Sequence, residues 1–225
     1  MTSEAADGLA LPVEGTKDWP IKDQGRTNAC VAFALTALHE FTCGVHDATF
    51  SEGSLLWASG LKPNNVSTFR HVGDTLSLRG QLPEASWPFD LLGPPSRRWS
   101  NPALVWSRLP TVNIEPSIQE IVRAVDSTGV AVVGLRMTTA LLKPSSDGLI
   151  DSGHGVRQIP SRHALAIVGY SGAGSNRIFI ARNSWGRRWG VDGYGFLTES
   201  FLSEQIVEAR MVAEIDSQTS IREME

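Results

Sequence analysis

Apolar side chains at 31, 34, 35, 38 and 41 in ACVAFALTALHEFT (29–42) recur with helical spacing. Thr27 or Asn28 is placed to cap the start of this helix and Gly44 to end it. The pattern predicts a second helix over 52–59 capped by Ser51, a third over about 68–79 ending at Gly80, and a fourth over about 117–126 opened by Pro116. Residues 130–135 form a short apolar, β-branched run. HALAIVGY (163–170) and RIFIARN (177–183) read as two further strands joined by the Gly-rich turn SGAGSN. Residues 1–17 read as an extended polar lead-in, 83–102 as irregular chain, and 143–160 as a long loop. Helices come first and strands later. That order predicts an α+β protein with a helical lobe and a β lobe, and a cleft between two such lobes is a common place for a substrate.

Composition supports this reading without redirecting it. The chain has 225 residues, 41% hydrophobic and 20% charged. A chain of that size buries roughly 70–75% of its unfolded surface, so a core needs no disulfide or metal to hold it. A net charge of -4 argues against a nucleic-acid or membrane surface. No apolar stretch reaches the 18 residues of a membrane span. The two cysteines, Cys30 and Cys43, fall on one helix and cannot meet. The acidic start MTSEAADGLALPVEG shows no secretory signal, so the expected compartment is the reducing cytoplasm.

The candidate chemistry follows from position. The turn between the last two strands centres near residue 173, with His163 ten positions before it and Asn183 ten after. A symmetric hairpin makes the two cross-strand neighbours. The amide oxygen can then accept the histidine Nδ1–H, leaving Nε2 to exchange a proton with a nucleophile. Cys30 falls in the first turn of the long helix, where the dipole and free N–H groups favour a thiolate. Gln24, in a DQG turn, can donate to an oxyanion beside the Cys30 N–H. Singly, each has a plainer reading: a satisfied core histidine, an inert buried thiol, a loop amide. His154, His163 and Cys30 lack metal-ligand spacing, so no metal and no cofactor is expected.

Taken together, KDQGRTNACVAFA (22–34), SRHALAIVGY (161–170) and ARNSWGRRWGVDGYGFL (181–197) resemble, in order and spacing, the signature regions of the papain-like cysteine peptidases. FSEGSLLW (50–57), GDTLSLRGQLPEASWPF (73–89) and TGVAVVGL (128–135) extend the resemblance along most of the chain. It implies one two-lobe domain over 1–225, with an N-terminal helical lobe over about 20–110 and a C-terminal antiparallel β-barrel-like lobe over about 111–215, on which the lead-in packs. It also implies Cys30 as nucleophile, His163 as general base and acid, Asn183 as its orienter and Gln24 as oxyanion donor. Trp185 matches the indole that shields the His–Asn contact. Ala131 and Ala164 align with walls of the second substrate subsite, and their small size implies room for a bulky apolar side chain.

The chain also departs from the family. Thr27 and Ala58 stand where family members carry a disulfide, Val31 replaces the tryptophan after the nucleophile, and 60–70 lacks the Gly-Gly strip. No long inhibitory segment precedes residue 12. These departures fit a bacterial-type peptidase of a reducing compartment, acting on protein or peptide substrates. It would be restrained by a regulatory protein partner, in a host-interaction, toxin or defence setting. A related acyl-transfer enzyme (deamidase, transglutaminase or deubiquitinase-like) and a binding module with a dead site are the competing readings.

Overall fold

The structure is a computed structural model that describes residues 19–44, 49–89 and 106–213. The lead-in over 1–17 and most of the irregular stretch over 83–102 lie outside the described residues.

The first helix, α1, spans Cys30–Cys43. Its N-cap is Ala29, which makes no side-chain cap, and not Thr27 or Asn28. Both of those are committed elsewhere: Thr27 Oγ1 donates to Gln24 O at 2.8 Å and Asn28 Nδ2 to Asn64 O at 2.9 Å. The first N–H groups of α1 therefore have no capping side chain. Gly44 closes the other end in the left-handed conformation, φ 62°, its N–H on Phe41 O. Helices α2 (Glu52–Ala58), α3 (Phe69–Leu78) and α4 (Ile118–Thr128) start from Ser51, Thr68 and Ser117, each accepting an N–H from three residues on. Two further short helices among the described residues are α5 (Thr139–Leu142) and α6 (Glu199–Gln205).

The strands are β1 (Thr111–Ile114), β2 (Ala131–Thr138), β3 (Leu149–Ile150), β4 (Gln158–Ser171), β5 (Ile178–Arg182), β6 (Tyr194–Thr198) and β7 (Ile206–Val212). They form one sheet in the order β1-β7-β2-β4-β5-β6-β3. Two expectations need correction. Among the described residues the sheet is not closed into a barrel: β1 and β3 are its edges, and β3 pairs with β6 in parallel. The segment 143–160 is also not all loop, because it holds β3 and the start of β4.

Alternation along the central strands divides the interior. Val132, Ala164, Ala166 and Val168 face α1, α2 and α3, where Leu35, Leu38, Leu55 and Phe69 are fully buried. Ala131, Val133, Leu135, Leu165 and Ile167 face the opposite side and pack against α4 and α6. Each fully buried leucine contributes roughly 1.5–3 kcal/mol. Polar bolts fasten the helices to the sheet. Arg210 of β7, 2% exposed, reaches Asp74 of α3 at 2.6 Å and Thr111 and Asn113 of β1 at 2.7 Å each. Its guanidinium lies so close to the α3 backbone that a Cβ on Gly73 would stand 2.3 Å from Nε.

Candidate active site

Cys30 opens α1 and is half-buried. Burial pushes its thiol up, against the N–H groups of Ala164, Val31 and Cys30 itself, which favour the thiolate. The Ala164 N–H belongs to β4, so that strand meets the helix start at the sulfur, one residue from His163.

His163 and Asn183 do meet, at 2.7 Å between Nε2 and Oδ1. The route differs from the symmetric hairpin. Pairing runs Ser171↔Ile178 to Gly169↔Ile180, then slips at a bulge to Ile167↔Ala181 and Ala166↔Arg182. Asn183 thus follows the end of β5 and reaches His163 diagonally, not from directly opposite. The nitrogens are also exchanged relative to the expectation. Nε2–H donates to the amide, and Nδ1 is the nitrogen left for a nucleophile. Burial lowers the imidazole to about 4, with the Asn183 bond opposing. Trp185 lies over the imidazole, ring centroids 4.2 Å apart, and Trp189 braces it edge-on at 5.9 Å.

Gln24 is 6% exposed and its amide is oriented from both ends. Oε1 accepts from Ser184 Oγ at 2.6 Å, and Nε2 donates to Thr27 O at 2.7 Å. The second N–H of Nε2 remains, on a side chain that lines the cleft. Ser184 went unremarked in the sequence, although it sits inside the NSWG run. Its N–H also donates to Asn183 Oδ1 at 2.7 Å, so one residue steadies both side-chain amides of the site.

A second unremarked group lies behind the site. Lys22 Nζ stands 2.8 Å from Glu52 and 3.0 Å from Glu40, and Arg182 is 3.7 Å from Glu40. Burial works against the Lys22 ammonium, but Glu52 and Glu40 overcome it and hold it above its ordinary value. Burial likewise raises the Glu52 carboxyl to about 7, with Lys22 opposing. These charges border a 20 Å³ void together with Asn183 and Ser184. They join the segment before α1 to α1, α2 and β5.

Gln24, Cys30, His163, Ala164 and Trp185 all line one 890 Å³ cleft. Ala131 does not. It is fully buried in the far core, because its place in the β2 alternation turns it toward α4. The β2 residue that lines the cleft beside Ala164 is Gly134, its direct cross-strand partner. Val66, Ser67 and Thr68, which lead into α3, and its first residue Phe69 line the cleft where the Gly-Gly strip is missing. Both cysteines are free. Among the described residues no group of three or more His, Cys, Asp or Glu is placed to hold a metal.

Known proteins share this architecture. Xylellain, a cysteine protease from Xylella fastidiosa, superposes with a TM-score of 0.70 at 19% identity, over 90% of this chain and 85% of that one. The bromelain protease from Ananas comosus, in complex with the E64 inhibitor, gives 0.67 at 17% identity, over 87% and 94%. In sequence, Cysteine proteinase 3 of Entamoeba histolytica is 28% identical over 196 residues, 80% of this chain and 61% of that protein. Cathepsin J of Mus musculus is 24% identical over 226 residues, 84% of this chain and 62% of that protein. The chain therefore spans about three fifths of the length of these relatives. The sequence pattern of the papain family of cysteine proteases matches residues 99–214, more than half the chain and the part that holds His163, Asn183 and Trp185. By that match and the shared fold, the chain belongs to the papain family of cysteine proteases.

Proposed function

We propose that the chain is a cysteine peptidase that hydrolyses peptide bonds in proteins or peptides by acyl transfer, with Cys30, His163, Asn183 and Gln24 as its machinery. One observation carries the reading. His163 is locked through Nε2 on Asn183 while lining the same cleft as Cys30, so its free nitrogen is the one available to the thiol. Burial disfavours the thiolate and the imidazolium separately. Proton transfer from Cys30 to Nδ1 creates both charges together, and their attraction offsets the two desolvation costs.

The thiolate then attacks the carbonyl carbon. The resulting oxyanion takes hydrogen bonds from the Cys30 N–H and the second Gln24 Nε2–H. The imidazolium gives its proton to the leaving amine as the C–N bond breaks, leaving a thioester. Water, deprotonated by His163, attacks the thioester, and the thiol recovers its proton as the acid leaves. Trp185 keeps bulk water from the His163–Asn183 bond.

Labelling with an epoxide thiol reagent of the E-64 class, followed by peptide mapping, tests this reading. The expected adduct is on Cys30 and disappears in His163→Ala. Labelling of Cys43 alone, or amide exchange without peptide turnover, would overturn it. The absence of a cysteine at both Thr27 and Ala58 supports a reducing compartment, the cytoplasm. Fractionation that finds the chain outside it would refute that placement.

A further inference from the structure

The cleft carries a charge pattern that peptide hydrolysis alone does not require. Antiparallel pairing sets Arg136 of β2 directly opposite Arg162 of β4, both exposed and both lining the cleft. Residues paired this way have Cβ atoms about 4.5–5.5 Å apart, and like charges there are destabilising. Among the described residues neither guanidinium has a carboxylate within ion-pair distance. Among the described residues Arg136 donates only to the backbone oxygen of Glu204, at 3.0 Å, while the Glu204 carboxylate accepts from Ser152. A third exposed arginine, Arg26, also lines the cleft. The one carboxylate among the cleft residues, Glu208, accepts the Phe69 N–H at 3.1 Å. A chain of net charge -4 thus concentrates positive charge at its cleft.

The arginines also sit beside the chemistry. Arg162 immediately precedes His163, and the next pair on the same face of the two strands is Gly134↔Ala164. A substrate lying over Cys30 passes these guanidinium groups within the same cleft. Arginine is suited to the ligand this arrangement needs, since its planar fork binds carboxylates in a bidentate manner.

We propose that Arg136 and Arg162 form a carboxylate-binding subsite, so that the cleft selects acidic peptides. This inference rests on the peptidase reading for its biological use, but its test does not depend on turnover. The carboxylate has two sources, an Asp or Glu side chain or the free C-terminus of the peptide.

The probe is a set of fluorescent peptides with one neutral core, carrying glutamate at successive positions, each made as a free acid and as a C-terminal amide. Affinity is measured by anisotropy on the Cys30→Ala protein, with Arg136→Gln, Arg162→Gln or both added. At least one acid-bearing peptide is expected to bind about tenfold tighter than the neutral amide, the equivalent of one good charge-assisted contact. That advantage should vanish in the double variant and shrink as salt rises. A gain seen with amidated glutamate peptides assigns a side chain, and a gain confined to free acids assigns the C-terminus. Equal affinity for acidic and neutral peptides, or an advantage that survives the double variant, overturns the inference. Cleavage of the same peptides by the native chain judges the peptidase reading separately.

Discussion

Helix α1 begins with Cys30 and ends with Cys43, and its two ends give one residue type two different settings. At the start, Cys30 is half-buried on the cleft, with three backbone N–H groups favouring its thiolate and His163 on the neighbouring strand. At the end, Cys43 is exposed beside Gly44, where the carbonyls of the last turn and the negative end of the dipole disfavour an anion. What burial Cys43 has raises its thiol, and no N–H group opposes the shift. Place on the helix is therefore what separates the two thiols. Thr27 and Asn28 matter to this contrast: because neither caps α1, its N-terminal N–H groups stay free for the site.

Removing the favoured thiol is the sharpest way to break the comparison. Cys30→Ala should lower peptide hydrolysis by more than about 10⁴-fold, the scale seen when a covalent nucleophile is lost. Loss of activity in Cys43→Ser with retention in Cys30→Ala would reverse the assignment of the two ends. Gln24→Ala comes next, with about a 10²–10³-fold fall in kcat and little change in KM, as for an oxyanion donor used only in the transition state. Ser184→Ala, which frees Gln24 Oε1, should show a smaller loss in the same parameter. A change in KM alone for either variant would make Gln24 a substrate-binding group.

The pH dependence of alkylation sharpens the contrast further. Burial raises the Cys30 thiol, so without a proton acceptor its thiolate forms only above the ordinary thiol range near 9. In His163→Ala, iodoacetamide modification of Cys30 should rise with pH only in that alkaline range, and so should that of Cys43, whose thiol is raised too. In the native protein the Cys30 profile should begin well below that of Cys43. Coincident profiles in the native protein would show that His163 does not activate Cys30.

How far the sequence disclosed this site depends on the kind of contact. Helices α1 to α4 were legible because their apolar spacing and their Ser, Thr or Gly ends act locally. The meeting of His163 and Asn183 was legible as a count across a hairpin. The bulge between Ile167 and Gly169 had one local sign, a glycine inside a strand pattern, but the partner and direction of the slip are set by the packing of the whole sheet. The error about Ala131 has the same origin, since a strand's facing is fixed by its partners and an alignment can be one step out of phase. Lys22, Glu40, Glu52 and Arg182 carry no local sign of pairing, because they lie on four separated segments that only the fold brings together.

The closing turn of α1 tests whether the far end of the helix serves only the fold. Gly44 holds φ 62°, and among the described residues nothing lies within 4 Å of the place a Cβ would occupy. Gly44→Ala therefore adds backbone strain without a clash, about 1–2 kcal/mol for the left-handed conformation. Thermal or denaturant unfolding should register that loss, while kcat/KM of the folded protein stays as it was.

Cys43→Ser carries the smallest expected effect. The side chain is exposed, lines no part of the cleft and forms no disulfide, so the hydroxyl can point to water where the thiol did. A surface substitution of this kind changes stability by about 0.5 kcal/mol at most. Peptide turnover should stay unchanged, and the protein should keep a single alkylatable thiol whose pH profile is that of Cys30 alone. That variant isolates the comparison at its source, because any remaining thiol chemistry then belongs to the N-terminal end of α1. A reactive profile that disappears with Cys43 would show that the exposed thiol, and not the one at the cleft, had been reporting all along.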